Sequence, residues 1–205
     1  MSVVAASVLG LGLGFKHAFE ADHVAAVCTF VARGGTVGRA AWSGAMWGLG
    51  HGAVLVLLGS ALILSGATVP VAVAIALDIA VAVMLVGLGL AALAKRRHKP
   101  AGHVHHDVPS GVPRRPFAVG LVHGASGTAA LTLLVASTMQ TRVSALVFVA
   151  LFGLSSVLCM ALVATLIAWP MRSLTARAPS LAPRLQVLAG LGSIAAGVSI
   201  AWAIA

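Results

Sequence analysis

A short polar cluster near the start of the chain carries the side chains most able to do chemistry. Lys16, His17, Glu20, Asp22 and His23 fall inside an otherwise apolar run, and the cluster holds two of the chain's 4 acidic residues. Imidazole and carboxylate together suit Ni, Co, Cu, Zn or Fe, and the scarcity of sulfur argues against a soft Cu(I) site. His17, Asp22 and His23 are therefore candidate metal ligands, with Glu20 as a secondary candidate.

The chain around this cluster is too apolar for an ordinary soluble domain. Of its 205 residues, 60% are hydrophobic and 8% are charged, a composition typical of integral membrane proteins. The net charge of +9 does not indicate nucleic-acid binding, because the basic residues lie between apolar runs rather than on one face with aromatic residues interleaved. Since charge inside a membrane span is unfavourable, the cluster is a functional candidate by default.

Runs of about 20 apolar residues, each long enough to cross a bilayer, predict an all-α polytopic membrane protein with six transmembrane helices. The predicted helices cover roughly residues 3–31, 41–64, 70–94, 116–139, 143–170 and 183–204. Gly and Pro residues mark the breaks between them. We expect a single transmembrane domain, residues 1–205, with a histidine-containing loop at 95–115.

The distribution of basic residues predicts how the chain crosses the membrane. The connections 32–40, 95–115 and 171–182 carry nearly all Lys and Arg residues, whereas the opposite side carries only Arg142. The positive-inside rule places these three connections in the cytoplasm. Both termini are then expected outside.

An internal echo predicts that the chain consists of two halves, residues 1–94 and 116–205. Gly14-Phe15-Lys16-His17 aligns with Gly120-Leu121-Val122-His123, and the following predicted helices match at Trp47 and Phe152. Three spans in each half force the halves into opposite orientations, with a binding site at their interface near mid-membrane. Chance similarity among Gly- and Leu-rich helices is the alternative.

Helical spacing constrains how the cluster could bind one ion. At ~100° per residue, His17, Asp22 and His23 cannot all face one point from an unbroken helix. Either they serve different tasks, or the helix unwinds locally, which the alternating glycines at 10–14 would favour.

Two further histidines lie in predicted spans and are candidate ligands. His51 is flanked by Gly44, Gly48 and Gly52, which recur at every fourth position and predict a ridge for close helix contact. His123 is the counterpart of His17 in the internal alignment. We expect both histidines to complete the site.

The segment from His17 to His23 resembles the HX4DH signature of the nickel/cobalt permease family. Residues 49–52 resemble that family's next helix, and residues 120–131 resemble the related, shorter urease-accessory type of membrane protein. The resemblance covers most of the chain and implies transport of Ni²⁺ or Co²⁺ across the cytoplasmic (inner) membrane, with His17, Asp22 and His23 handling the metal. The larger permeases have eight spans, so their mechanism and metal preference do not transfer directly.

Other polar residues are secondary candidates. Asp78 is the one other acid in a predicted span, and pairing with Lys16 or Arg142 is as plausible as a role in the ion pathway. Ser126 and Thr128 lie in the segment that resembles the shorter type. Four histidines of the long loop could bind metal weakly, with a solvated basic linker as an equal alternative. They are His98, His103, His105 and His106.

The expected substrate is Ni²⁺ or Co²⁺, with no permanently bound cofactor. The expected partners are membrane lipid and the divalent ion, and not nucleic acid. A second copy of the chain and a cytoplasmic metal acceptor are further candidate partners.

The sequence suggests four other interpretations, and its residues argue against the first two. An intramembrane thiol-disulfide electron carrier needs two cysteines that meet, but Cys28 has Leu134 rather than Cys159 as its counterpart in the internal alignment. A metalloenzyme is not expected, because a di-iron site needs further carboxylates from other helices. The third is a transporter of a different metal or solute, and the cluster itself could instead be an ion-pair network that only joins helices.

Overall fold

The computed structural model describes residues 1–32, 34–95 and 114–205, without the side chains of residues 95, 128–133, 136 and 137. The described residues form seven helices and no strand, which confirms the all-α prediction. The helices are α1 (Val3–His17), α2 (Ala21–Val31), α3 (Val37–Ser65), α4 (Val71–Lys95), α5 (Arg114–Thr138), α6 (Arg142–Arg177) and α7 (Leu181–Ala203). The predicted bounds agree to within a few residues, except that α6 continues through Pro170 to Arg177.

The first predicted span is not one straight helix. α1 and α2 are separated at residues 18–20, and their axes are bent by 55°. The backbone N–H groups of Phe19 and Glu20 donate to carbonyls three residues earlier, at 3.0 and 3.1 Å, so α1 closes in tight turns. Local unwinding is therefore the alternative that the chain adopts. The glycines are not its cause, because Gly10 and Gly14 lie within α1 against the backbone of α6.

The predicted glycine ridge on the next helix is confirmed. α3 lies on α6 through Gly44, Gly48 and Gly52, where an added Cβ atom would come within 2.5 to 3.0 Å of α6 backbone atoms. α5 in turn lies on α3 through Gly120 and Gly124. Neither glycine leaves room for a Cβ atom against the α3 backbone. Without a hydrophobic driving force between helices in lipid, such close contacts hold a membrane bundle together.

Two other helix pairs are built in the same way. α1 lies on α6 at Gly14, where a Cβ atom would be 2.5 Å from the carbonyl oxygen of Phe152. α4 lies on α7 in two places. A Cβ atom added at Gly89 of α4 would be 2.5 Å from the carbonyl oxygen of Gly190, and one added at Gly197 of α7 would be 2.6 Å from the carbonyl oxygen of Ala82.

Several helices are long and apolar enough to cross a membrane. In the described part of the chain, α3, α4, α6 and α7 qualify, and the bent pair of α1 and α2 makes a fifth span if the two count as one. The chain is thus a multi-pass membrane protein. α5 does not meet the same criteria, so the sixth span stays a prediction.

Substitution of Gly89 by alanine should destabilise the bundle by about 1 to 3 kcal/mol, because the added Cβ would overlap the α7 backbone. Gly87→Ala is the matched control on the same helix, since nothing lies within 4 Å of a Cβ there and alanine favours helix. Thermal unfolding of the purified protein in detergent micelles measures both. An equal loss in the two variants would contradict the close contact.

Candidate metal centre

The chain bends at the break between α1 and α2, and the side chains of the polar cluster there meet those of other helices in the middle of the bundle. His17 is the last residue of α1, and Asp22 and His23 lie in the first turn of α2. His51 is the central residue of the 29-residue helix α3, and His123 lies on α5. The three histidines contributed by α2, α3 and α5 are at most 3% exposed. All five primary candidates from the sequence therefore meet in one place.

Two overlapping groups of three donors could each hold a metal ion. One group is His17, His23 and His51, and the other is Asp22, His23 and His123. Within each group the donor atoms lie within 4.8 Å of one another. The Nε2 atoms of His17 and His51 are 3.2 Å apart. Nitrogens that bind one ion at ~2.1 Å are roughly 3.0 to 3.4 Å apart, so this separation fits a shared ion as well as an N–H···N hydrogen bond.

Asp22 links two of the imidazoles. Its Oδ1 accepts a hydrogen bond from the backbone N–H of His23 at 2.8 Å and lies 3.0 Å from His23 Nδ1. Its Oδ2 lies 2.9 Å from His123 Nε2. A carboxylate in contact with a ring nitrogen fixes the orientation of the imidazole and raises its basicity. Asp22 could therefore act as a ligand itself or as the group that orients its neighbours.

Three buried imidazole nitrogens have no hydrogen-bond partner within the described residues: Nε2 of His23, Nδ1 of His51 and Nδ1 of His123. A buried polar atom without a partner destabilises a fold by roughly 1 to 3 kcal/mol. A neutral imidazole nitrogen with a free lone pair is also a metal ligand. The orphaned nitrogens are thus the part of the cluster that a cation could satisfy.

Glu20 and Lys16 occupy the edge of the cluster. Glu20 caps the start of α2 as an extended residue, and its Oε2 lies 2.9 Å from His17 Nδ1, with 49% of its side chain exposed. This contact leaves His17 Nε2 directed at His51. Lys16 is exposed and forms no ion pair with Glu20 in the described part of the chain. The alternative ion-pair network consisted of Lys16 with Glu20 and His23 with Asp22, and the described residues show the second of these pairs.

Aromatic side chains that sequence reasoning did not assign enclose the centre. Trp47 is fully buried, with its ring centroid 5.3 Å from that of His23 and 5.7 Å from that of His123. Phe152 lies 5.3 Å from His17 by the same measure. The sequence contains one indication of this placement, because Trp47 lies one turn before His51 and is aligned with Phe152 in the internal alignment.

A second polar contact lies beside the centre. Asp78, on α4, accepts a hydrogen bond from the hydroxyl of Ser126, which lies about one turn along α5 from His123. Asp78 and Arg142 line a common cavity of about 370 Å³. The suggested pairing of Asp78 with Lys16 or Arg142 is not found among the described ion pairs.

The remaining candidates make no described contact with the centre. His98, His103, His105 and His106 lie outside the described residues, and Thr128 lies in α5 with its side chain outside them. Cys28 and Cys159 are free thiols.

Comparison with known proteins gives one informative relationship. The chain is 31% identical over 172 residues to the urease accessory protein UreH of Bacillus sp. (strain TB-90), which covers 79% of this chain and 75% of the relative. No model of a protein family matches the chain, and no solved structure matches it.

Co²⁺ binding should depend on both donor groups. His23→Ala should abolish it, because His23 belongs to both groups. Asp22→Asn and His51→Ala each leave one group intact and should weaken binding by about 10- to 100-fold. Titration of the purified protein with Co²⁺, followed by visible absorption, measures the affinity.

Cys28→Ser is the control for this titration, since the half-buried Cys28 belongs to neither group. It should bind Co²⁺ like the wild type. Wild-type affinity in His23→Ala would rule out both groups as the binding site.

Proposed function

Because the chain belongs to the family of the urease accessory protein UreH, within the nickel/cobalt transporter superfamily, we propose that it moves Ni²⁺ across the cytoplasmic membrane through the histidine and aspartate centre. The family relationship makes it a transporter-type membrane protein rather than an enzyme. We favour Ni²⁺ over Co²⁺ because the relative is named a urease accessory protein.

The observation that carries the proposal is the convergence of five histidine and aspartate side chains at a helix break halfway through the bundle. Irregular backbone at membrane depth is tolerated only where it is buried in protein or lines a cavity. Ionisable groups at that depth mark ion pathways. His17, Asp22 and His23 would bind the partly dehydrated ion, and His51 and His123 would complete or relay it.

Helix contacts support an architecture of six spans in two inverted halves. α1 lies on α6 as α5 lies on α3, and α2 lies on α7 as α5 lies on α4. Gly14 meets the carbonyl of Phe152, and Gly120 meets the carbonyl of Trp47. The internal alignment pairs these same residues. In this architecture α5 also crosses the membrane, as the counterpart of the broken pair of α1 and α2, and it brings the number of spans to six. Rocking of the two halves then alternates access to the ion.

The same architecture orients the chain. We place the arginine-rich connections in the cytoplasm and both termini outside. The Ser144 hydroxyl donates to the Met1 carbonyl at 3.3 Å, so the start of α1 lies beside the start of α6. Both helix starts then belong to the outer side. The cavity that holds Asp78 is lined by the end of α3 and the start of α6, and it gives the ion an outer route to Ser126 and His123.

Cells that express Asp22→Asn or His23→Ala should differ little from vector cells in ⁶³Ni²⁺ accumulation. The effect of the wild type on accumulation should fall at least about tenfold in either variant, as expected when a metal site loses a ligand or an orienting group. Membrane levels of each variant, measured by immunoblot, normalise the result. Wild-type transport by both variants would remove the site from the mechanism.

The double variant Cys28→Ser/Cys159→Ser is the matched control in that assay. It leaves every candidate ligand in place and should transport like the wild type. Unchanged metal transport with no redox phenotype in this variant would exclude the thiol-disulfide alternative.

Charged residues in the cavity that holds Asp78 should change the apparent affinity for Ni²⁺. Asp78→Asn removes its one described carboxylate and should raise the KM for Ni²⁺ by about two- to fivefold, because a negative group concentrates cations locally. Arg142→Gln removes positive charge from the same cavity and should shift the KM in the opposite direction. Initial rates over a range of Ni²⁺ concentrations measure both. Shifts of the same sign would exclude the cavity as the entry route.

A further inference from the structure

A second cavity lies at the other end of α3 from the cavity that holds Asp78. It has a volume of about 430 Å³ and is lined by the connection before α3, the starts of α3 and α5, and the final part of α6. Four arginines contributed by three helices line it: Arg39, Arg114, Arg115 and Arg172. We call it the arginine cavity.

The described chain supplies no negative charge to balance these guanidinium groups. Glu20 and Asp22 contact the histidines of the metal centre, and Asp78 is bonded to Ser126. The fourth acid of the chain, Asp107, lies outside the described residues and could offset at most one of the four charges. The cavity therefore carries a net positive charge on four exposed arginines, which favours an anion from elsewhere.

Backbone dipoles add to the positive potential. α3 begins at the cavity, where Thr36 caps it by accepting from the Arg39 N–H at 3.1 Å, and the first described turn of α5, from Arg114, also lines it. Helix starts carry partial positive charge and unpaired N–H groups, which bind phosphate. Gly34 and Gly35, with φ of 80° and 119°, supply the left-handed turn that brings the chain into α3 along the cavity wall.

The wall of the cavity is not uniformly polar. Phe30, Val31, Ala168 and Met171 form an apolar part beneath the arginines. A free inorganic phosphate would leave this part exposed to water, whereas a lipid would cover it with its glycerol backbone and upper acyl chains. The cavity also lies at the end of the bundle with the basic connections, and in the orientation proposed above this end faces the cytoplasmic leaflet, which carries anionic lipids.

We propose that the arginine cavity binds the phosphate headgroup of an anionic phospholipid. The guanidinium groups form charge-assisted hydrogen bonds to the phosphate oxygens, and the apolar wall covers the adjoining part of the lipid. The site ties together the ends of α3, α5 and α6. It does not depend on which ion crosses the metal centre.

The test uses the full-length protein and phosphatidylglycerol as the probe. Native mass spectrometry from neutral detergent micelles gives the affinity for phosphatidylglycerol against that for phosphatidylcholine. The wild type should prefer phosphatidylglycerol. Arg39→Gln/Arg172→Gln should weaken phosphatidylglycerol binding by at least about 25-fold, because each charge-assisted hydrogen bond to the phosphate contributes more than roughly a fivefold factor.

The matched control is Arg177→Gln/Arg184→Gln. These two arginines lie at the same end of the bundle but do not line the cavity. Their substitution removes the same amount of charge as that of Arg39 and Arg172. The control should stay within about twofold of the wild type. Arg39→Lys/Arg172→Lys keeps the charge, should retain most of the binding, and guards against a folding defect in the glutamine variant.

Two results would overturn the proposal. Equal weakening by the cavity variant and the control would mean that phosphatidylglycerol responds only to overall charge. Complete displacement of phosphatidylglycerol by millimolar inorganic phosphate would identify a soluble anion as the ligand instead of a lipid.

Discussion

Asp22, a carboxylate in an apolar bundle, constrains how the other helices are arranged. One oxygen contacts His23 on its own helix and the other contacts His123 on α5, so α2 and α5 are joined through a group that cannot be left alone in an apolar interior. The break after His17 makes this possible. It creates a second helix start inside the bundle, and Asp22 lies in its first turn, where the helix dipole stabilises negative charge.

Glycines bring the partner histidines close enough to share that charge. Gly120 and Gly124 let α5 lie against the backbone of α3 on either side of His123. The result is that His51 and His123 have ring centroids only 5.7 Å apart, although they come from different halves of the chain. The small residues that join the helices therefore also determine the geometry of the donor groups. A larger residue at Gly124 would move His51 itself, since its backbone lies directly opposite.

The helices and most of the candidate ligands could be predicted from the sequence, because hydrophobic length and intramembrane charge are local signals. The helical spacing of His17, Asp22 and His23 also showed that the three side chains cannot face one ion from an unbroken helix. The break between α1 and α2 removes this restriction. What could not be predicted depends on contacts between distant segments. The glycines before the cluster seemed suited to unwinding, yet Gly14 is used for contact with α6. The role of Trp47 against His23 likewise emerges only when α3 meets α2.

Charge is distributed unevenly along the bundle, and this bears on how a cation would leave the centre. Trp47 contacts His23 on one side and lies 6.4 Å, between ring centroids, from Phe30, which lines the arginine cavity. The two aromatic rings thus stand between the metal centre and four uncompensated guanidinium groups. A divalent ion that passed this partition would be repelled by these four charges, although their exposure to water screens part of the repulsion. A phosphate bound among the arginines would cancel much of that repulsion. Under the two proposals together, the lipid at the cavity lowers the electrostatic barrier on the cytoplasmic side of the ion's path.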